Sequence, residues 1–374
     1  MAPQRFIGDR SAPVPFASMR RRRTLLGTGN KPEILNQMAR FRSIYVRSDS
    51  NPDREVRINE VEREGAGVWR IDVPVDDIFK GARAGRMHHR HPVERIFSEV
   101  NPSLPFGSHR PEWMDFAPVP RLISKSPVSL QRFDGRRGEP LWVYDSARQA
   151  FDDDSWPWGL VGRITNNRGE SGTGTLIGDR LVVTAGHMVP WSDSSWWMKF
   201  VPAYFNGASL FGAGIESYVS DTNGYDISSV FIGYDYAILR LYEPLGTSLG
   251  YFGYNSYSDD WNNQPLWSNI GYPGDVENGQ EPSFQKGFTI GADVGDGNGG
   301  NELETENCDL NHGNSGGPMF AWWNNGTDPR IVAVVSSQLS DARQPPFPSP
   351  NDNVFAGGDA FVNLCAWGRS NWPA

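Results

Sequence analysis

Cysteine is nearly absent from this chain: Cys308 and Cys365 are the only two in 374 residues. A fold of this length cannot rest on a disulfide framework, and whether the two thiols are bridged is open at this level. No stretch approaches the ~20 consecutive apolar residues of a membrane-spanning helix. The first residues carry no apolar run of the secretory type. Helix-period patterning is scarce after residue 150, the one candidate being a short helix near Phe361–Ser370. Histidine is limited to six, and none follows His312. Positive charge is scarce in the second part: residues 151–374 hold 9 Lys and Arg against 26 Asp and Glu, whereas residues 1–150 hold 26 against 18.

What is present points to strands. Gly 41, Pro 28 and 12% aromatic residues accompany many short β-branched runs between turn signals, which argues for an all-β body. The length exceeds one ordinary domain, so two units are expected. A net charge of +8 on residues 1–150 facing −17 on the remainder draws the first part onto the second. A basic arm for nucleic acid is the rival reading, from Arg20-Arg21-Arg22-Arg23. Its acidic residues are interspersed, however, and no nucleic-acid-binding motif appears.

Three segments carry the chemistry. Thr184-Ala-Gly-His187 follows the β-branched run Arg180–Val183, whose hairpin partner is expected at Gly172–Ile177. Tyr234-Asp235 precedes the apolar run Tyr236–Leu239. Ser315 sits in Gly313-Asn-Ser-Gly-Gly-Pro318. A serine hydroxyl needs a base within hydrogen-bond reach, and that base needs an acid that fixes its tautomer. His187, Asp235 and Ser315 supply one of each. Asp226 competes for the acid role but lies in a polar, turn-like stretch. Glycines around Ser315 let the chain turn tightly and aim the N–H groups of Gly313 and Ser315 at one point, an oxyanion hole. Gly313–Gly317 also fits the G-x-S-x-G elbow of α/β-hydrolases. That fold places its histidine after the serine, and this chain has none there.

The order His, Asp, Ser, spaced 48 and 80 residues apart, and the phrases TAGH, DYAILRL and GNSGGP resemble the chymotrypsin-like serine peptidases. Val143–Arg148, Asp152–Asp154, Trp156-Pro-Trp158 and Val161–Ile164 resemble the start of the mature chain in the bacterial and fungal glutamyl endopeptidase branch. The resemblance spans about residue 141 to the C-terminus. It implies two antiparallel six-stranded β-barrels, at about 143–250 and 251–374, with a short C-terminal helix and the active site between the barrels. It implies a serine endopeptidase acting through an acyl-enzyme, with protein or peptide substrates, a monomeric state and secretion. A catalytically silent binding module or an esterase on the same fold is the alternative. Residues 1–140 are then a basic N-terminal pro-region that covers the domain as in a zymogen, cut near the dibasic Arg136-Arg137-Gly138.

The resemblance also places the specificity pocket. Asp309 stands where trypsin-like members hold the carboxylate that selects Arg or Lys. His312 is placed at the pocket rim, where it would favour an acidic side chain. Val335 falls where glutamate-specific members place a histidine, with Ser336 beside it, and Met188 replaces a cysteine found in many relatives. Within the first part, Glu55–Val61 and Val68–Val75 alternate like strands, and residues 1–30 are expected to be disordered. His88-His89-Arg90-His91 fits no tight metal-ligand spacing. The oxygen-rich run Asp293–Glu302 offers ligands of the calcium type without the spacing of an EF-hand. The expectation is a glycine-rich rim next to the pocket and no cofactor, with calcium the one ion to test.

Overall fold

Leu181-Val-Val-Thr184, three of whose four residues are β-branched, is completely buried and forms one strand of the first barrel. A computed structural model describes residues 8–38, 42–47, 61–65, 68–73, 84–101, 105–123, 130–131, 137–138, 147–226, 231–338 and 353–373. Leu181–Thr184 pairs antiparallel with Ser171–Gly178 on one edge and with Ala237–Leu241 on the other, so the hairpin expected from the sequence is present. The order continues through Val161–Asn166 and Met198–Pro202 on one side and Ser217–Tyr225 on the other. Met198–Pro202 then pairs with Ser217–Tyr225, and six antiparallel strands close into a barrel.

The second unit is one nine-stranded sheet. Its core is Trp267–Gly271, Pro318–Trp323, Asp328–Gln338 and Asn353–Gly357, which are neighbours in that order. Pro318–Trp323 is buried at every position, so it reads as an unbroken apolar run rather than an alternating one. The C-terminal helix spans Asp359–Asn371, with Asp359 in its first turn and Arg369 in its last, the signs that complement the helix dipole. Its Arg369 guanidinium donates to the carbonyls of Ile177, Pro105, Gly107 and Phe252. One side chain thereby ties the helix to both units and to the N-terminal part. Cys308 and Cys365 are both buried and free, not bridged.

Residues 8–30 depart from the expected disorder, while residues 1–7 lie outside the described residues. Val14 bridges to Trp322, and Phe16 and Met19 are buried in the main core. Apolar side chains at these positions have partners far away in sequence, Trp322 for Val14 and Phe284 for Phe16, which local composition does not show. Val61–Gly65 and Val68–Val73 form strands of a small sheet with Arg42–Arg47, while the expected strand residues 55–60 lie outside the described residues. Met87–His91 adds a seventh strand to the barrel sheet, parallel to Asp221–Tyr225. Its alternation turns His88 to one face and His89 and His91 to the other.

Candidate active site

His187 leaves the end of Leu181–Thr184 through a single 3-10 turn, Gly186–Met188. Asp235 closes a similar turn, Ile232–Tyr234, just before Ala237–Leu241. Because these two strands are hydrogen-bonded neighbours with Thr184 opposite Ala237, the two turns meet. Asp235 Oδ1 accepts the His187 backbone N–H at 2.8 Å, and its Oδ2 faces His187 Nδ1 at 2.7 Å. A third donor, the Ser336 hydroxyl from the second sheet, reaches Oδ2 at 2.6 Å. Asp226 is exposed past the end of Ser217–Tyr225 and takes no part.

The electrostatics follow from this pairing. Burial raises the Asp235 carboxyl, but the His187 and Ser336 hydrogen bonds and the imidazole charge outweigh it, and its pKa falls below the ordinary 3.8. Burial likewise lowers His187, yet the Asp235 hydrogen bond and charge prevail and lift it above 6.5. Nδ1 bonded to a carboxylate leaves Nε2 as the free ring nitrogen.

The serine loop is held differently. Gly316 has φ +81°, and a Cβ there would stand 2.2 Å from Thr184 Oγ1 and 2.3 Å from the Thr173 carbonyl. Gly313 has φ +97°, with the Tyr272 carbonyl 2.3 Å from where a Cβ would be. Only glycine meets both demands. Thr173 acts as a splint: its N–H donates to the Ser315 carbonyl, its hydroxyl donates to the Gly313 carbonyl, and the same oxygen accepts the Tyr272 amide. The loop's carbonyls are thus engaged, whereas the N–H groups of Gly313 and Ser315 have no hydrogen-bond acceptor among the described residues.

His187 and Ser315 line one cavity of about 720 Å³, together with Leu310, Asn311, His312, Val335, Ser336, Ser337 and Asn353. No direct Ser315–His187 hydrogen bond is formed among the described contacts, and catalytic hydrogen bonds of unliganded sites commonly tighten only with substrate. Of the expected pocket residues, His312, Val335 and Ser336 are in this cavity. Asp309 is not in its lining: its carboxylate accepts the Ala147 amide at 3.0 Å. Asp293–Glu302 is not in it either. It forms a hairpin bordering a second cavity with Tyr257–Trp261, and Asp296 accepts the Gly233 amide beside the Asp235 turn. Among the described residues no group of three or more His, Cys, Asp or Glu is placed to hold a metal ion.

Thr173, Asn353 and the hydrogen bond from Ser336 to Asp235 were not signalled by the sequence. Thr173 had one available clue, its place in the hairpin partner of the histidine strand. Asn353 had none.

Residues 172–325 match the family described as the trypsin-like peptidase domain, a span that contains His187, Asp235 and Ser315. With the closed barrel and the His, Asp, Ser order, this match supports a chymotrypsin-like serine peptidase. The chain is 28% identical over 161 residues to a glutamyl endopeptidase of Bacillus licheniformis. That alignment covers 42% of this chain and 47% of the relative, so the chain spans about half the length of the curated relative it matches. Among solved structures it is similar to a Glu endopeptidase in complex with MPD, at 20% identity and a TM-score of 0.49, covering 61% of this chain and 98% of that one. The protease Anisep from Arthrobacter nicotinovorans is similar at 19% identity and a TM-score of 0.42, covering 59% and 99%.

Proposed function

We propose that this chain is a serine endopeptidase that hydrolyses proteins or peptides through an acyl-enzyme. The observation that carries the reading is Asp235 gripped by the His187 amide, the His187 ring and Ser336, with His187 and Ser315 in one cavity. In this reading Ser315 Oγ attacks the scissile carbonyl carbon while His187 Nε2 takes the hydroxyl proton. The carbonyl oxygen becomes an oxyanion facing the N–H groups of Gly313 and Ser315, each such donor being worth roughly 3–4 kcal/mol of transition-state stabilisation. His187 then delivers its proton to the leaving amine, and the C–N bond breaks to leave an ester on Ser315. Water repeats the sequence with His187 as base and releases the acid. Asp235 remains ionised throughout and stabilises the imidazolium.

Among the described residues no Asp or Glu lines the cavity, which supports an uncharged or acidic acyl-side residue over Arg or Lys. Secretion and synthesis as a longer chain cut near Arg136-Arg137-Gly138 belong to the same proposal. The test is hydrolysis of a peptide panel varied only at the acyl-side residue. Cleavage that is lost in Ser315→Ala supports the reading. A purified wild-type chain that cleaves no peptide contradicts it.

A further inference from the structure

The charge imbalance predicts a removable cover drawn on by opposite charge, and ion pairs of that kind are present, Arg86 to Asp221 and Arg121 to Asp152, both at 2.8 Å. Most of the contacts are of another kind. Met19, Leu35 and Ile96 are completely buried, and Phe16, Phe97, Met114 and Phe116 are nearly so, all within the same apolar core as the barrel strands. Four tryptophans of the body donate their indole N–H to this part: Trp156 to the His109 carbonyl, Trp158 to the Ala117 carbonyl, Trp323 to the Ser11 carbonyl and Trp367 to the Glu99 carboxylate, at 2.7–2.9 Å. In return Trp113 donates to the Ser248 carbonyl at 2.8 Å. The buried Arg330 of the second sheet lies over the Phe106 ring at 4.7 Å and pairs with Asp9 at 3.1 Å. Its neighbour Asp328 accepts both the amide and the hydroxyl of Ser108.

The same part supports the catalytic histidine. Met87–His91 takes the stretch of barrel edge left open beyond the short Met198–Pro202 pairing. Arg90 from this strand stacks on Trp191 at 4.7 Å, and Trp191 donates to the Gly186 carbonyl next to His187. His88 stacks on Trp196 at 4.2 Å. Meanwhile the described residues lining the candidate catalytic cavity come from 187 onward. Stripping off the N-terminal part would leave buried indole N–H groups without acceptors and expose the core, without opening the cavity those residues line.

We infer that segments 8–35 and 84–123 are a permanent, non-covalently held part of the folded body rather than a dissociable pro-region, and that a cut after them yields a two-chain protein. The partner surface is the seam of Trp156, Trp158, Trp322, Trp323 and Arg330. Attachment through apolar burial and indole hydrogen bonds is insensitive to salt, in contrast to attachment by opposite net charges, which salt screens.

The test uses the full chain with Ser315→Ala, so its outcome is independent of the proposed peptidase activity. A recognition sequence for a sequence-specific protease replaces residues 139–142. After complete cleavage, size exclusion in 0.15 M and 1 M NaCl (roughly 8 Å and 3 Å screening lengths) is followed by a denaturing gel. The expected result is co-elution of both fragments at both salts, with separation only in denaturant. Departure of the N-terminal fragment at either salt overturns the inference.

Discussion

The two sides of the candidate active-site cleft are built on opposite plans. On the barrel side, both oxygens of Asp235 are occupied, by His187 N–H and by the His187 ring and Ser336. On the other side, the serine loop is anchored by its carbonyls through Thr173, and the amides of Gly313 and Ser315 point to no acceptor among the described residues. One side fixes a charge before any substrate arrives. In the proposed reaction the other keeps donors in reserve for charge that appears only as bonds change. Saturating the first and starving the second is what differential transition-state binding requires.

Breaking either side at its centre has the largest effect. Ser315→Ala or His187→Ala lowers kcat by about 10⁶-fold, because the triad acts as a unit, checked by peptide hydrolysis under single-turnover conditions. Asp235→Asn follows at about 10⁴-fold, through loss of the correct imidazole tautomer. That variant is expected to keep its circular dichroism spectrum.

Smaller changes sharpen the contrast. Thr173→Val removes the loop's anchor and leaves the Gly313 carbonyl and the Tyr272 amide unpaired, costing about 1–3 kcal/mol of stability, read from denaturant unfolding. The pH profile reports on the barrel side. His187 must be neutral to act as base, and its pKa lies above 6.5, so kcat/KM rises with pH through a midpoint above that value. In stability the raised histidine contributes fully below 6.5 and loses its contribution as pH climbs through its folded pKa. The depressed Asp235 contributes above 3.8 and loses it as pH falls through its own folded pKa. Ser336→Ala withdraws one donor from the carboxylate, leaving more negative charge to hold the imidazolium. The acid limb of the profile therefore moves upward, with at most about a tenfold loss in kcat/KM from a hydrogen bond worth roughly 1 kcal/mol.

The residues of the proposed triad could be singled out in the sequence because each lies within a few residues of the strand end or glycine turn that positions it. His187 follows its strand by three residues, Asp235 precedes its own by two, and the glycines around Ser315 are adjacent to it. The fold class was legible for the same reason, in short apolar runs such as Leu181–Thr184. The pocket was less so: Asn353 lies 38 residues beyond Ser315, and Asp309 is turned to the Ala147 amide by a contact no spacing reveals. The N-terminal seam was least legible. The Trp323–Ser11 hydrogen bond spans 312 residues, and Phe16 or Met19 in a polar, arginine-rich neighbourhood has no local period to mark it as core.

The most direct test is reaction with a fluorophosphonate followed by intact mass, on wild type and on Ser315→Ala. One covalent adduct on the wild-type chain and none on the variant is the predicted result, since only a serine with a working base is acylated or phosphonylated at neutral pH. A wild-type chain that takes no label, as the full chain and after a cut near Arg137, contradicts the account.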